Sequence, residues 1–456
     1  MDATYGIISI VPVIVLIAVA LITKRTFESL LVATLLALII GCKGGWFAAF
    51  VEQMQTVTAE NIWVLLVVGL LGGLVGVLEK SKAAMGFSGL LSKFATTKKK
   101  SLLAEWALSV VLFVDDYLNI LTTASITKRL NDSHKIHRTM TAYIIGSTSA
   151  PVVVLIPLSS WSIYYASLIQ STGIVPEGGS ATGMYLQSVP FMFYPMFCLL
   201  VLLLVIAGII PLFGPMRKYQ KQAEETGNLY PEGLTPEEEV EEAADPNAKT
   251  GGVIDFVLPI VVLLAATIYF DIDVLTGVTV ALAFTCVMYL VRKLMKLADF
   301  VDTIWEGFST MVSVLALLVI AFMFKSACEN LGMSEYIIGK VAPLMSGWLL
   351  PFVVFLVATL MTFALANAWG VSAIMVPLVI PLAQAMDANL AVAIAAIFSG
   401  SVFGTQLCFY SDNSILIAQA TNIRPLDHVK TQMPFALCAG VLTCIAYLVY
   451  GFVFLS

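Results

Sequence analysis

Apolar runs long enough to enter and cross a lipid bilayer constrain this chain more than any other feature. Ile7–Ile22, Ile62–Leu78, Phe191–Ile210 and Val253–Phe270, read as helices, traverse most or all of the roughly 30 Å hydrocarbon layer. Only 12% of the residues are charged and 59% are hydrophobic, against about 25% and 45–50% in soluble domains. That balance excludes a soluble enzyme, a nucleic-acid binder and a disordered chain. It predicts an all-α polytopic membrane protein, because only helices satisfy their own backbone in lipid with segments of this length. The seven cysteines are odd in number and include no CxxC, so no disulfide framework is expected. The segment before the first run carries Asp2 and no Lys or Arg, which reads as a retained span rather than a secretory signal.

Basic residues fix the expected sidedness. With the N- and C-termini outside, ten spans and two re-entrant hairpins place 21 of the 24 Lys and Arg inside, leaving Lys43, Lys325 and Lys340 outside. Letting both hairpins cross fully removes this asymmetry, and the positive-inside rule rejects that topology. The first hairpin, 102–127, has Lys98, Lys99 and Lys100 before it and Lys128 and Arg129 after it. A segment basic at both ends enters and leaves on one side, with Val114-Asp115-Asp116-Tyr117-Leu118-Asn119 at its turn. The second hairpin is expected at 349–387.

An internal repeat supports that pairing. Phe50-Val51-Glu52 matches Phe300-Val301-Asp302, Lys80-Ser81 matches Lys325-Ser326, Gly86-Phe87-Ser88 matches Gly332-Met333-Ser334, and Gly146-Ser147 matches Gly400-Ser401, at offsets of 245 to 254. Asp115 then falls opposite Asn367 in Ala366-Asn367-Ala368-Trp369-Gly370. Five spans per repeat make the halves inverted, each with a re-entrant hairpin and a broken helix: 1–214 and 253–456, joined by a polar linker, 215–252. The linker carries the run Glu237 to Glu242 and reads as a solvated cytoplasmic tether. His134, His137 and His428 are expected in cytoplasmic loops at the surface.

Charges at membrane depth mark ion or solute paths. Asp115, Asp116 and Asp412 qualify, with Asp115 or Asp116 also suited to capping a helix. Glu105 is expected at the solvated hairpin base. The helix breaks are expected at Gly146-Ser147-Thr148-Ser149-Ala150-Pro151 and at Gly400 to Gln406, where Gly and Pro weaken a helix. The candidate solute- and ion-binding residues are Asp115, Asp116, Tyr117, Asn119, Ser147, Thr148, Ser149, Ser159, Trp161, Asn367, Trp369, Thr405, Ser411, Asp412 and Asn413. Asp116 and Asp412 are the expected carboxylates for Na⁺. Their hard oxygens suit Na⁺ or H⁺ as coupling ion, whereas an aromatic wall with Trp161 and Trp369 suits an organic ammonium. No nucleotide-binding motif is present, and Gly72 to Ser81 lacks P-loop spacing. No cofactor is expected.

These motifs resemble the NhaC family of Na⁺/H⁺ antiporters. The likeness is carried by Val114 to Asn119, Ser147-Thr148-Ser149-Ala150-Pro151, Pro157-Leu158-Ser159-Ser160-Trp161, Trp369-Gly370 and Ser411-Asp412. It implies a dimeric, elevator-type secondary carrier of the cell's inner membrane, not an enzyme. Family members commonly read Gly-Asp-His-Cys-Ser-Pro before Ser-Asp-Thr-Thr. This chain has Gly404-Thr405-Gln406-Leu407-Cys408-Phe409 and then Ser411-Asp412-Asn413-Ser414. The expected activity is exchange of a cation against protons or an organic solute by alternating access. An organic-solute carrier for an amino acid or amine, or less so a hydroxy acid, coupled to Na⁺ or H⁺ is the alternative within the class, and an ion channel the alternative outside it.

Overall fold

The computed structural model describes residues 5–23, 25–174, 179–234, 251–270, 273–333, 336 and 346–454. The acidic run Glu237 to Glu242 and Lys340 lie outside the described residues. All regular structure among the described residues is helical. The first half contains α1 (Val11–Thr23), α2 (Thr26–Cys42), α3 (Trp46–Glu60), α4 (Ile62–Lys80), α5 (Ser88–Phe94) and α6 (Lys98–Val111). It continues with α7 (Asp116–Ser133), α8 (Arg138–Leu155), α9 (Ser160–Ser171), α10 (Ala181–Ser188), α11 (Phe193–Ala207) and α12 (Gly214–Thr226). The second half contains α13 (Val253–Tyr269), α14 (Val274–Val291), α15 (Leu297–Thr310), α16 (Val312–Asn330) and α17 (Leu350–Leu365). It ends with α18 (Ala368–Ala385), α19 (Leu390–Leu407), α20 (Asp412–Thr421) and α21 (Pro425–Phe454). Among the described residues, six helices are long and apolar enough to cross a membrane, or up to nine if each bent pair counts as one span. The protein is a multi-pass membrane protein.

Several helix pairings recur in the two halves. α1 lies on α2 as α13 lies on α14; α4 packs along α15 as α16 packs along α3; α7 and α8 meet α20 as α18 meets α9. The α4–α15 crossing is close because both faces are glycine: a Cβ on Gly307 would stand 2.2 Å from the Gly72 carbonyl oxygen. Small residues let apolar helices approach where lipid offers no hydrophobic drive.

α6 and α7 form an antiparallel hairpin, because polar side chains clasp it along its length. Ser101 donates to Asn131 Oδ1 at 2.6 Å, and Ser109 donates to Asn119 Oδ1 at 2.6 Å. Asn119 Nδ2 in turn donates to the Ser109 and Leu112 carbonyls, which α6 leaves free at its end. The basic flanks at Lys98–Lys100 and Lys128–Arg129 therefore sit at one end of the hairpin, as their charge pattern requires. α17 and α18 form the second hairpin around Ala366, at φ 58°, and Asn367.

Three expectations are corrected. The helices run unbroken through Gly146–Pro151 and through Gly400–Gln406; the interruptions fall later, between α8 and α9 and between α19 and α20. The glycines serve close packing instead, since a Cβ on Gly400 would meet the Phe355 carbonyl at 2.6 Å. The start of the linker is not a solvated tether: α12 docks on the hairpin base and on α8. Gln220 Oε1 accepts from the His137 amide, Lys98 pairs with Glu224, and the Tyr219 hydroxyl reaches Asp427 at 3.3 Å. His137 and His428 are fully buried rather than exposed in loops.

Candidate functional site

Four helices begin at one place in the interior. α7 starts at Asp115, α9 at Ser159, α18 at Asn367 and α20 at Ser411, and each of these side chains caps its own helix. Such residues satisfy amides that a starting helix leaves free. Cross-links tie the starts together. The Ser160 amide donates to the Val114 carbonyl at 2.9 Å, and its hydroxyl to Asp115 Oδ2 at 2.8 Å. The Tyr117 hydroxyl donates to Asp412 Oδ2 at 2.6 Å. Tyr164 donates to the Trp369 carbonyl at 2.8 Å, and the Trp161 and Trp369 rings lie 5.2 Å apart. Tyr410 donates to the Phe363 carbonyl beside the second hairpin turn.

The three acids have different work. Asp115 is saturated: Oδ1 accepts the Tyr117 and Leu118 amides, and Oδ2 accepts Ser160. It is the cap that the sequence allowed for. Asp412, in the first turn of α20, takes the Tyr117 hydroxyl and remains accessible to solvent. Asp116 is fully buried, and neither carboxylate oxygen has a hydrogen bond of normal geometry. Its neighbours are the Trp161 indole, the Asn413 amide, and the like charges of Asp115 and Asp412. Among the described residues no Lys, Arg or His forms an ion pair with any of the three. The positive ends of α7 and α20 favour carboxylates, but an uncompensated buried charge stays costly.

The remaining candidates divide. Asn413, Thr405 and Ser149 line a narrow slot together with His428, Gln406 and Gln432. Ser159 caps α9 and ties it to the Val153 carbonyl. Asn119 and Thr148 are spent on the hairpin clasp, where Ser109 reaches both, and the Ser147 carbonyl faces Cys198. The Trp161, Tyr164, Tyr165 and Trp369 rings pack mainly on one another and on Phe398. Three residues outside the expected set also belong here: Gln406, whose amide bridges the Gly146 carbonyl and the Tyr194 hydroxyl; His428, whose ring nitrogens have no partner among the described residues; and Gln432, whose Nε2 donates to the Gln406 carbonyl while its Oε1 has none. The i, i+4 spacing of His428 and Gln432 on α21 was the signal available.

Two larger cavities open at opposite ends of α4. One of about 540 Å³ is lined by Glu52, Glu60, Asn61, Lys325 and Glu329; another of about 1030 Å³ is lined by Glu79, Lys82, Ser125, Lys128 and Arg129. No group of three or more His, Cys, Asp or Glu arranged for a metal ion occurs among the described residues.

Two helical hairpins meeting two interrupted helices around buried carboxylates define a secondary active transporter. The chain belongs to the Na⁺/H⁺ antiporter family, whose model matches residues 152–452. An uncharacterized protein of Haemophilus influenzae is 24% identical over 99% of this chain and 92% of its own length. The malate-2H⁺/Na⁺-lactate antiporter of Bacillus subtilis is 26% identical over 42% of this chain and 41% of that protein. Among solved structures, Neisseria gonorrhoeae MtrF, described within a class of antimetabolite efflux pumps, shares the fold with TM-score 0.57 at 15% identity, over 94% of both chains. The Alcanivorax borkumensis YdaH transporter, described as having an unusual topology, does so with TM-score 0.59 at 13% identity, over 86% of this chain and 85% of its own.

Proposed function

We propose that this carrier exchanges a monovalent cation, Na⁺ foremost, for protons, with Asp116 and Asp412 as the alternating ligands of both. One observation carries the reading: Asp116 is buried with only the neutral Trp161 indole and Asn413 amide beside it, and is flanked by two further acids, with no basic side chain among the described residues paired to any of the three. Such a group is tolerated only when a proton or a cation neutralises it, and exchange of one for the other is antiport. Asn413 and Tyr117 supply further oxygens, and Trp161 closes the apolar side.

The repeated packing supports two inverted halves, 1–214 and 253–456, with the interrupted elements at their interface. The cavities at the two ends of α4 suit access from alternate sides. With basic residues inside, both termini lie outside and 215–252 faces the cytoplasm, in a cell inner membrane, as a homodimer. No resident cofactor is involved; Na⁺ and H⁺ are the cargo.

A second reading is favoured by a different feature. α9 and α18 begin with the neutral caps Ser159 and Asn367, whereas α7 and α20 begin with acids. A zwitterionic amino acid fits that division, its ammonium toward Asp116 and Asp412 and its carboxylate toward the neutral helix starts. Trp161 and Trp369 then form the wall.

The test is a proteoliposome with a pH-sensitive dye inside. A Na⁺ pulse drives proton movement in the wild type, and Asp116→Asn or Asp412→Asn abolishes it. Full Na⁺-driven flux in both variants removes the cation assignment. Amino-acid uptake weakened severalfold by Trp369→Ala, with no Na⁺-driven proton movement, selects the second reading.

A further inference from the structure

The base of the first hairpin buries a fourth acid that the transport site does not use. Glu105 lies two turns into α6, and the expectation that it is solvated fails because α7 and α8 cover it completely. Its Oε2 accepts from Asn131 Nδ2 at 2.6 Å; the same amide reaches Thr141 Oγ1 at 3.0 Å, and Ser101 donates to Asn131 Oδ1. Oε1 has no hydrogen bond of normal geometry, although the Thr127 hydroxyl stands beside the carboxyl group. Thr127 spends its own proton on the Thr123 carbonyl at 2.8 Å, so its lone pairs face outward for use.

The charged groups on the surrounding elements are committed elsewhere. On α6, Lys98 pairs with Glu224, Lys99 holds the Ala207 carbonyl and Lys100 the Thr96 hydroxyl. On α7 and α8, Asp132 pairs with Arg138 at 2.6 Å, and neither Lys128 nor Arg129 forms an ion pair with Glu105. Among the described residues, the groups at the carboxyl are the neutral Asn131 amide and Thr127 hydroxyl. A bare carboxylate there would be a buried, uncompensated charge, whereas a proton on Oε1 both neutralises it and supplies a donor to Thr127.

We propose that Glu105 is a second proton-binding carboxyl of this carrier, seated between Asn131 and Thr127 and separate from the Asp116 cluster. The Ser109–Asn119 clasp lies between the two along the hairpin. On release the carboxyl becomes a carboxylate and the proton leaves to water at the hairpin base; Thr127 then turns its hydroxyl from the Thr123 carbonyl to Oε1. The functional part of this inference rests on proton exchange by the carrier; proton binding at Glu105 does not.

Infrared difference spectroscopy of the full chain in nanodiscs, stepped in pH, reads the carboxyl directly. A protonated-carboxyl band should appear and disappear with pH, vanish in Glu105→Gln and persist in Asp116→Asn. Asn131→Leu, which removes the donor to Oε2, should shift the band without abolishing it. In proteoliposomes Glu105→Gln should still respond to Na⁺ but with an altered pH profile and fewer protons moved per Na⁺. A band that never titrates, with an unchanged pH profile and stoichiometry in Glu105→Gln, shows a permanently neutral structural acid and overturns the proposal. So does a wild-type spectrum lacking any band sensitive to Glu105→Gln or Asn131→Leu. Loss of Na⁺-driven flux in the wild type with a titrating Glu105 band would instead refute the transport reading alone.

Discussion

Adjacent acids with opposite duties give the sharpest test of the site. Replacing Asp115 with Ala removes the acceptor for two amides at the start of α7 and the partner of the Ser160 hydroxyl. Loss of an N-cap costs about 0.5–2 kcal/mol. A buried hydroxyl left without its partner adds about 1–3 kcal/mol, so Asp115→Ala should destabilise by about 1.5–5 kcal/mol. Asp115→Asn keeps Oδ1 for both amides, and Ser160 can reverse to accept, so its cost should stay near 1 kcal/mol. Its effect on cation affinity should be about tenfold or less, the loss of one neighbouring charge. Asp116→Asn should behave in the reverse way. It relieves a buried uncompensated carboxylate, leaving stability unchanged or raised, while Na⁺-driven proton movement disappears. Tryptophan-fluorescence unfolding in detergent, paired with dye-loaded proteoliposomes, measures both quantities on the same preparations. The reasoning fails if Asp115→Ala is as stable as the wild type. It fails equally if a well-folded Asp115→Asn loses its Na⁺ response as completely as Asp116→Asn.

Gly307→Ala puts a methyl 2.2 Å from the Gly72 carbonyl oxygen, so it should lower stability by roughly 1–3 kcal/mol or more; Gly89→Ala, with open space around it, should be near neutral in the same melt. Burial pushes His137 down from 6.5 to about 4, so the folded state holds the neutral ring. The stability this gives is full above pH 6.5 and is lost as pH falls from 6.5 towards 4, by at most about 3 kcal/mol. The hydrogen-exchange protection factor at α12, whose Tyr219 stacks on His137 at 4.9 Å, should therefore fall over that window relative to intrinsic exchange and stay flat in His137→Asn. Cysteines replacing Thr96 and Ser133, both exposed at the hairpin base, should react with an impermeant reagent from the same side of the membrane; labelling from opposite sides would exclude a re-entrant hairpin.

The sequence by itself settled the membrane class, because hydrocarbon tolerates few unpaired polar groups and so writes its thickness into apolar run lengths. It also marked the first hairpin, since like charge at both ends of Leu102–Thr127 forbids a crossing, and it singled out Asp115, Asp116 and Asp412 by their cost. Tertiary structure decided what each acid does. Capping depends on backbone direction at a helix start, and nothing in Asp115-Asp116 says which residue faces the amides. It also decided where the helices break. Gly146, Pro151, Gly400 and Gly404 read as breakers by propensity, yet neighbouring helices need those glycines for close approach, and the unwinding falls at 156–159 and 408–411. Burial of Glu105, His137 and His428 was equally out of reach, because depth along one helix is readable from its own residues whereas the cover that other helices lay over a side chain is not.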